Sequence, residues 1–559
     1  MTDRFGGVRL TRPEPAPDRG PVDDRLYDLV EARFRRIVTA DPVHATYLGI
    51  HAWDDRLGDA SREAVLGELD ADRRHLAAVE ALDPADLSAR AGFERDLEIH
   101  ELRLELFGAE VMRNWERHDH GATAIGDALF PLFTRDFAPL PDRLEAIAGR
   151  LEDAPAHLLE HRTRAAGPQV RTWQDVELAS AADLPVFLDE ILALADGSGP
   201  TLERRLRRAA GALRDAVEDQ MAWIRDGLAT ATDDWALGRE RYDELIRLRA
   251  FDGLTTDAIL EIGWEQLEKN HTERAAAARE IDPALDEMAA VDRVKSDHPA
   301  TFGEALDAYR SAMAAARSFL VAHDIVSVPD DERVDVVETP AYLRGVNPFA
   351  AYFSPARWDP APVGTYIVTS SVDGDPGAMR EHYFSAIVNT SIHEAYPGHH
   401  LQLAVAARHP SLTRAVIDAP EFVEGWAMYS ELMMREEGFD AGPVARIGLT
   451  TDAIWRAARI VLDIRMHRGE LTVDEATDFL IEHTRFERPN ALAEVNRYTS
   501  TPGYQLSYLL GKVLILGLRD EERRRLGGRF SLRAFHDTLL RNGSIPVSFH
   551  RRILHGEGG

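Results

Sequence analysis

The chain has 559 residues, with 65 Lys and Arg against 95 Asp and Glu, for a net charge of −30. A surface this acidic repels phosphate backbones and anionic lipids, so nucleic acid and membranes are poor partners and solubility is its simplest meaning. There is no cysteine, which excludes disulfides, thiolate metal sites and a cysteine nucleophile; lysine occurs only at Lys269, Lys295 and Lys512, which disfavours Schiff-base chemistry.

Residues 1–21 are rich in Pro, Arg, Gly and Asp without periodicity and read as a flexible or surface-draped arm. The first ten residues lack the apolar run of a secretory signal, and no stretch is apolar for long enough to span a bilayer, so the expected location is cytoplasmic. From Val22 the pattern turns helical: Leu26, Leu29, Val30, Phe34 and Ile37 recur at three- and four-residue intervals up to a break at Asp41-Pro42. Amphipathic runs follow at 62–82, 91–106, 140–166, 202–229 and 256–281, the last with Thr255 or Thr256 as N-cap. Residues 22–324 are therefore expected to form a helical lobe.

Between 325 and 371 the pattern changes. Segments 325–328 and 334–337 are short and β-branched, 342–353 is aromatic and loop-like, 355–363 is broken by prolines, and 364–371 reads as a strand. An edge strand here can hold an extended peptide through backbone hydrogen bonds, with Tyr366 a candidate substrate contact; a small stabilising hairpin is the plainer alternative. Helical patterns resume at 379–403, 420–436, 449–468 and 473–484, and again at 504–518 after a break at Thr501-Pro502-Gly503. No fixed-period repeat is present, which disfavours a solenoid.

The chemistry concentrates in His393-Glu394-Ala395-Tyr396-Pro397-Gly398-His399-His400 and, shortly after, Glu421-Phe422-Val423-Glu424-Gly425-Trp426. Zinc is held by neutral imidazoles and carboxylates, with three protein ligands and one open position in a catalytic site. A carboxylate beside the first ligand can take a proton from water. In the usual HExxH pattern the two histidines lie one helical turn apart. Here the fourth residue after His393 is Pro397, and the next imidazoles come six and seven residues on. On an unbroken helix seven residues rise about 10 Å, too far for one ion. Proline kinks the helix and glycine tolerates the displaced backbone, so a two-residue bulge at Pro397-Gly398 would return His399 to the ligand position, with His400 as the fallback. Packing histidines are the prosaic alternative; the accompanying carboxylates argue for a metal. Imidazole and carboxylate sites accept several metals, and zinc follows from ligand type.

The motif His393-Glu394-x-x-Pro397-Gly398-His399-His400-Leu401-Gln402, followed by Glu424-Gly425-Trp426-Ala427-x-Tyr429-Ser430-Glu431, resembles the bacterial domain of unknown function 885 family, regarded as candidate zinc metallopeptidases. The resemblance extends over nearly the whole chain, through 41–49, 235–238 and 498–511. A more distant similarity is to thimet-oligopeptidase-like gluzincins, whose Gly-His and Phe-Val-Glu match Gly398-His399 and Phe422-Val423-Glu424. The two residues inserted before Gly398 depart from that pattern and leave His399 and His400 both open.

The resemblance implies a mainly α, two-lobed metallopeptidase-like fold with a central cleft and a small β-sheet beside the site, residues 325–559 forming the catalytic lobe. It implies one zinc ion on His393, His399 and Glu424, Glu394 as general base, and amide hydrolysis in short peptides. For the oxyanion donor, Tyr498, Tyr504 and Tyr508 fall in the right part of the chain, with Tyr508 preferred and Tyr498 next. Arg497 and Tyr498 are candidates for gripping a substrate carboxylate or carbonyl, although an ion pair would equally account for the arginine. Glu421 and Glu431 are candidates to orient the histidines, and Trp426 to pack the ligand helix. The rival readings are an amidase acting on a non-peptide or modified amino acid, and an inactive scaffold. The intact His393, Glu394, His399 and Glu424 argue against the scaffold. Neither the cleavage position nor the oligomeric state follows from these residues.

Overall fold

A computed structural model describes residues 5–14, 18–340, 350–359, 362–370 and 378–558. Positions 342–349 of the expected aromatic stretch, residues 360 and 361, and the strand's last expected residue, 371, lie outside them.

The chain is mainly helical, with one small sheet. Helix starts follow the local chemistry. Pro21 opens Pro21–Ala40 at the position where a missing N–H costs nothing, and Asp41 caps Pro42–Leu48 by accepting from the His44 N–H at 2.8 Å. Thr255 caps Thr256–Ile281, and Thr472 with Glu475 forms a reciprocal capping box on Val473–Thr484.

Helices that periodicity did not pick out include Gly121–Thr134, Arg171–Leu194 and Phe302–Ala322. The first two carry Pro131 and Pro185 inside them. Interior proline normally ends a helix, so local rules alone argue against both. Burial of Leu129, Leu132, Phe187 and Ile191 in the core they share with helix Leu140–Arg162 outweighs that cost.

The second core joins residues from before and after position 325: Tyr242, Ile259 and Leu320 pack with Ile392, Phe422, Trp426 and Leu510. Within it, helix Pro420–Glu436 lies against Ser507–Leu526 at a glycine crossing. A Cβ on Gly425 would stand 2.5 Å from the Gly511 carbonyl carbon, and one on Gly511 2.0 Å from the Glu421 carbonyl oxygen. Only glycine allows backbones this close, and the crossing fixes the helix that carries Glu424.

The sheet has the order β1-β3-β2, with β1 Val334–Glu338 parallel and β2 Ala350–Phe353 antiparallel to the central β3 Gly364–Val368. Val336 and Tyr352 both lie opposite Tyr366. Side chains alternate between faces. Val336, Tyr366 and Val368 pack on Tyr309 and on Ile387 of helix Phe384–Glu394, whereas Val337, Thr365 and Ile367 face a cavity.

Candidate metal centre

Helix Phe384–Glu394 ends at the motif and helix His399–Ala406 begins within it. Across the junction the Gly398 N–H donates to the Ile392 carbonyl at 3.0 Å and the Leu401 N–H to the Ala395 carbonyl at 3.3 Å. Each bond reaches six residues back instead of four, so the turn absorbs two extra residues. A Cβ on Gly398 would lie 1.8 Å from the His393 carbonyl oxygen, which leaves glycine alone able to pass. The buried Trp426 indole N–H donates to the Pro397 carbonyl at 2.7 Å and ties this turn to the Glu424 helix.

This geometry brings His393, His399 and Glu424 together, one ligand atom of each lying within 4.8 Å of the others. Glu424 Oε2 is 3.7 Å from His393 Nε2 and 3.4 Å from His399 Nε2. That oxygen is buried and accepts no hydrogen bond among the described residues. The other His393 nitrogen, Nδ1, is 2.7 Å from Glu431 Oε1, which turns Nε2 toward Glu424. Asn389, one helical turn before His393, donates to Glu431 Oε2 at 3.1 Å and to Asp452 at 3.0 Å. Two imidazoles and an orphaned carboxylate oxygen, with the first imidazole braced by a carboxylate, are a donor set that fits a zinc ion.

His400 points away. Its Nε2 is 2.6 Å from Glu332 and its Nδ1 2.9 Å from the Tyr352 hydroxyl, so both nitrogens are engaged in a fully buried contact. Gly364 makes room for it, since a Cβ there would lie 2.7 Å from His400 Nδ1. Glu394 makes no hydrogen bond among the described residues. Burial raises its pKa, against the pull of His393 and His399. Burial also acts to raise Glu424, but the two imidazoles outweigh it and hold that carboxyl well below its usual range. For His393 burial opposes the charge, yet Glu424 and Glu431 push its pKa up to about 10.

Among the tyrosines it is Tyr504 that reaches the site, donating to Glu424 Oε1 at 3.1 Å, with the Tyr508 hydroxyl 3.4 Å from its own. Tyr498 is placed differently from the expectation. Its buried hydroxyl donates to Glu494 at 2.8 Å and accepts from Arg459 at 3.0 Å and Trp455 at 3.3 Å. Arg497 is exposed and pairs with Glu494 at 2.9 Å on its own helix. Tyr366 is fully buried on the helix-facing side of β3, where it does not line the cavity but feels the charge of Glu394. Of the two acids expected to orient histidines, Glu431 does so, whereas Glu421 pairs with Arg249 at 3.0 Å.

Beside the site lies a cavity of about 770 Å³. The sheet's open face, Phe130 and Phe133, and Leu403, Asp418 and Val423 contribute to its wall. None of His393, Glu394, His399 and Glu424 lines it, but Val423 precedes Glu424 in the chain, and Asp418 feels the charges of Glu424 and His399. The Asp418 side chain is open to the cavity yet walled by protein, and that burial, with Glu424, pushes it up to about 6.

Residues 42–554 match the family described as bacterial protein of unknown function (DUF885). The chain belongs to this family. No curated protein matches it. Two solved structures share the DUF885 chain's fold. One is a candidate lipoprotein of unknown function from Shewanella oneidensis, 21% identical, with a TM-score of 0.77 and coverage of 95% of this chain and 99% of that one. The other is a candidate lipoprotein from Colwellia psychrerythraea, 18% identical, with a TM-score of 0.81 and coverage of 96% and 98%. Among the described residues of the DUF885 chain no helix is long and apolar enough to cross a membrane.

Glu332 and Asn389 were not singled out from the sequence. Asn389 sits four residues before His393, so helical spacing could have found it. Glu332 lies 68 positions from its partner His400, in a segment without a motif, and nothing local marks it.

Proposed function

We propose that this DUF885 protein is a zinc-dependent hydrolase that cleaves amide bonds in short peptides, with the cavity beside the sheet as part of the substrate cleft of a two-lobed fold. The observation that carries this reading is the buried, unpartnered Glu424 Oε2 set against the Nε2 atoms of His393 and His399. His393, His399 and Glu424 would hold the ion. Zinc in such a site acts as a Lewis acid toward water and the substrate carbonyl.

The remaining chemistry belongs to side chains. Glu394 follows a ligand directly and has no protein partner among the described residues, so its carboxylate is free to accept a proton from the attacking water and return it to the departing amine. Glu431, steadied by Asn389, keeps His393 Nδ1 engaged and its Nε2 aimed inward. Tyr504 and Tyr508 are the hydroxyl donors near Glu424 and are placed to stabilise negative charge developing on the carbonyl oxygen. Strand β2, at the sheet edge, carries Tyr352 against His400 and offers backbone groups to an extended peptide.

The deciding experiment measures zinc and peptidase activity together. Purified protein should carry about one zinc per chain, and Glu394→Gln should keep that zinc while losing nearly all turnover. A zinc-free wild-type chain, or a Glu394→Gln variant of ordinary activity, would overturn the reading. Cell fractionation tests the expected cytoplasmic location.

A further inference from the structure

Three arginines line the cavity beside the site: Arg135, Arg357 and Arg414. Two of them have carboxylate partners, Arg135 with Asp359 and Arg414 with Glu94 at 2.7 Å. Arg357 has none among the described residues. Its guanidinium reaches the His409 carbonyl, the Ser411 carbonyl at 3.4 Å and Thr11 Oγ1 at 3.4 Å, and lies over the Trp358 ring at 4.8 Å. In a chain with 95 acids against 65 bases, an arginine in a cavity wall without a carboxylate is a departure that solubility does not explain. Arg414 and Arg90 lie close by, since both act with Arg357 on His409, and the three aspartates on the cavity wall, Asp136, Asp335 and Asp418, make no ion pair with Arg357 among the described residues. A half-buried guanidinium held by carbonyls is fixed in place and still lacks an anion, the state in which a bidentate carboxylate binds best.

Its position relative to the metal ligands is set by one helix. His399 begins His399–Ala406 and Arg357 grips the carbonyls just beyond that helix's far end. Eight residues of helix measure about 12 Å, which is about four residues of extended peptide. Between the two ends the wall is largely apolar, with Leu403, Ala406, Ala407 and Val416 on one side and Val337 and Ile367 on the other.

We infer that Arg357 is a substrate-binding residue that anchors the C-terminal α-carboxylate of a short apolar peptide, about four residues from the metal ligands. The inference rests on the peptidase reading only for what happens at the other end of the peptide. It names the substrate class as free-acid oligopeptides, not internal segments of folded proteins.

The test is a binding titration on the zinc-loaded Glu394→Gln variant, with a fluorescent N-acylated apolar tetrapeptide as free acid and as C-terminal amide. The acid should bind at least tenfold more tightly, and adding Arg357→Gln should erase that preference while the zinc content stays the same. Equal binding of acid and amide, which needs no arginine substitution to observe, would overturn the inference, as would a preference that survives Arg357→Gln. A peptide amide ending in a glutamate side chain should bind like the plain amide; recovery of full affinity would instead assign Arg357 to side-chain carboxylates. Binding is read without turnover. A chain that prefers acids through Arg357 but hydrolyses nothing would therefore sink the hydrolase reading and leave this inference standing, and an active hydrolase indifferent to the C-terminus would do the reverse.

Discussion

Two regions of this protein gather imidazoles, and they do so with opposite electrostatics. In the first half His118, His120, His157 and His161 form a chain of rings with centroids 5.4, 5.3 and 5.0 Å apart. In the second half His393 and His399 lie 4.8 Å apart. By ring spacing alone the regions are alike. They differ in what surrounds the rings. Burial, then the neighbouring His120, brings His118 down to about 3, and burial brings His157 down to about 4; burial, Arg164 and the other imidazoles push His161 lower still. His393 is as buried, but Glu424 and Glu431 reverse the sign. Among the described residues only His393, His399 and Glu424 bring ligand atoms within 4.8 Å. Clustered histidines by themselves do not make a candidate metal site; it is the carboxylates that converge with His393 and His399, and brace His393 from behind, that distinguish the second region.

The strongest way to break this comparison is to remove ligands from each region. His393→Ala and Glu424→Ala should each lower zinc affinity by roughly a hundred- to thousandfold, about the share of one ligand in a four-ligand site. His157→Ala and His161→Ala should leave the metal content unchanged. Elemental analysis after dialysis reads all four, and zinc lost from the His161 variant but kept in the His393 variant would invert the comparison.

A smaller effect separates the bracing from the ligand. Glu431→Gln keeps a hydrogen-bond acceptor for His393 but removes the charge, and should weaken zinc roughly 10- to 100-fold, measured by competition with a chelating dye. An unchanged affinity would show that Glu431 serves packing alone.

His400→Ala sharpens the assignment within the motif. It should spare zinc and instead cost about 1–3 kcal/mol of stability, because the buried Glu332 keeps Arg317 and Tyr396 but loses one partner. Urea unfolding with parallel zinc measurement checks this, and zinc loss without destabilisation would exchange the roles of His399 and His400.

The smallest expected effect is in the pH dependence of stability, and it has opposite signs in the two regions. His157 titrates lower in the fold than in the unfolded chain, so its contribution is present above about pH 6.5 and is lost as pH falls toward about 4. In chelator-treated protein His393 titrates higher in the fold, so its contribution is present below about pH 6.5 and is lost as pH rises toward about 10. Melting temperatures of His157→Gln should fall less on acidification than those of wild type, by a few degrees at most. Restoring zinc should remove the alkaline slope. An alkaline slope unaffected by zinc would place its origin outside His393.

Much of the candidate site was legible because its chemistry is local. His393 and Glu394 are adjacent, and Glu424 sits in a Phe-Val-Glu segment whose residue types announce themselves. The tyrosines were harder. Tyr498 and Tyr504 flank the break at 501–503, and the direction in which helix Ser507–Leu526 leaves that break is set by the Gly425–Gly511 crossing, which no local pattern records. The face that Tyr366 takes was hidden for a different reason: Tyr366, Ile367 and Val368 are all buried, so β3 lacks the polar–apolar alternation that tells one face from the other.

The sequence by itself determined the helical class, the small sheet ahead of the histidine motif and the groups that form the candidate site, because helix periodicity, strand composition and ligand chemistry depend on residues near one another in the chain. Tertiary structure alone decided that His399 and not His400 turns inward, that Tyr504 rather than Tyr498 meets Glu424, and that Glu332 holds the remaining imidazole. Each of these depends on where a distant backbone lies to within about an ångström, a quantity set by packing over the whole core and not by any local stretch.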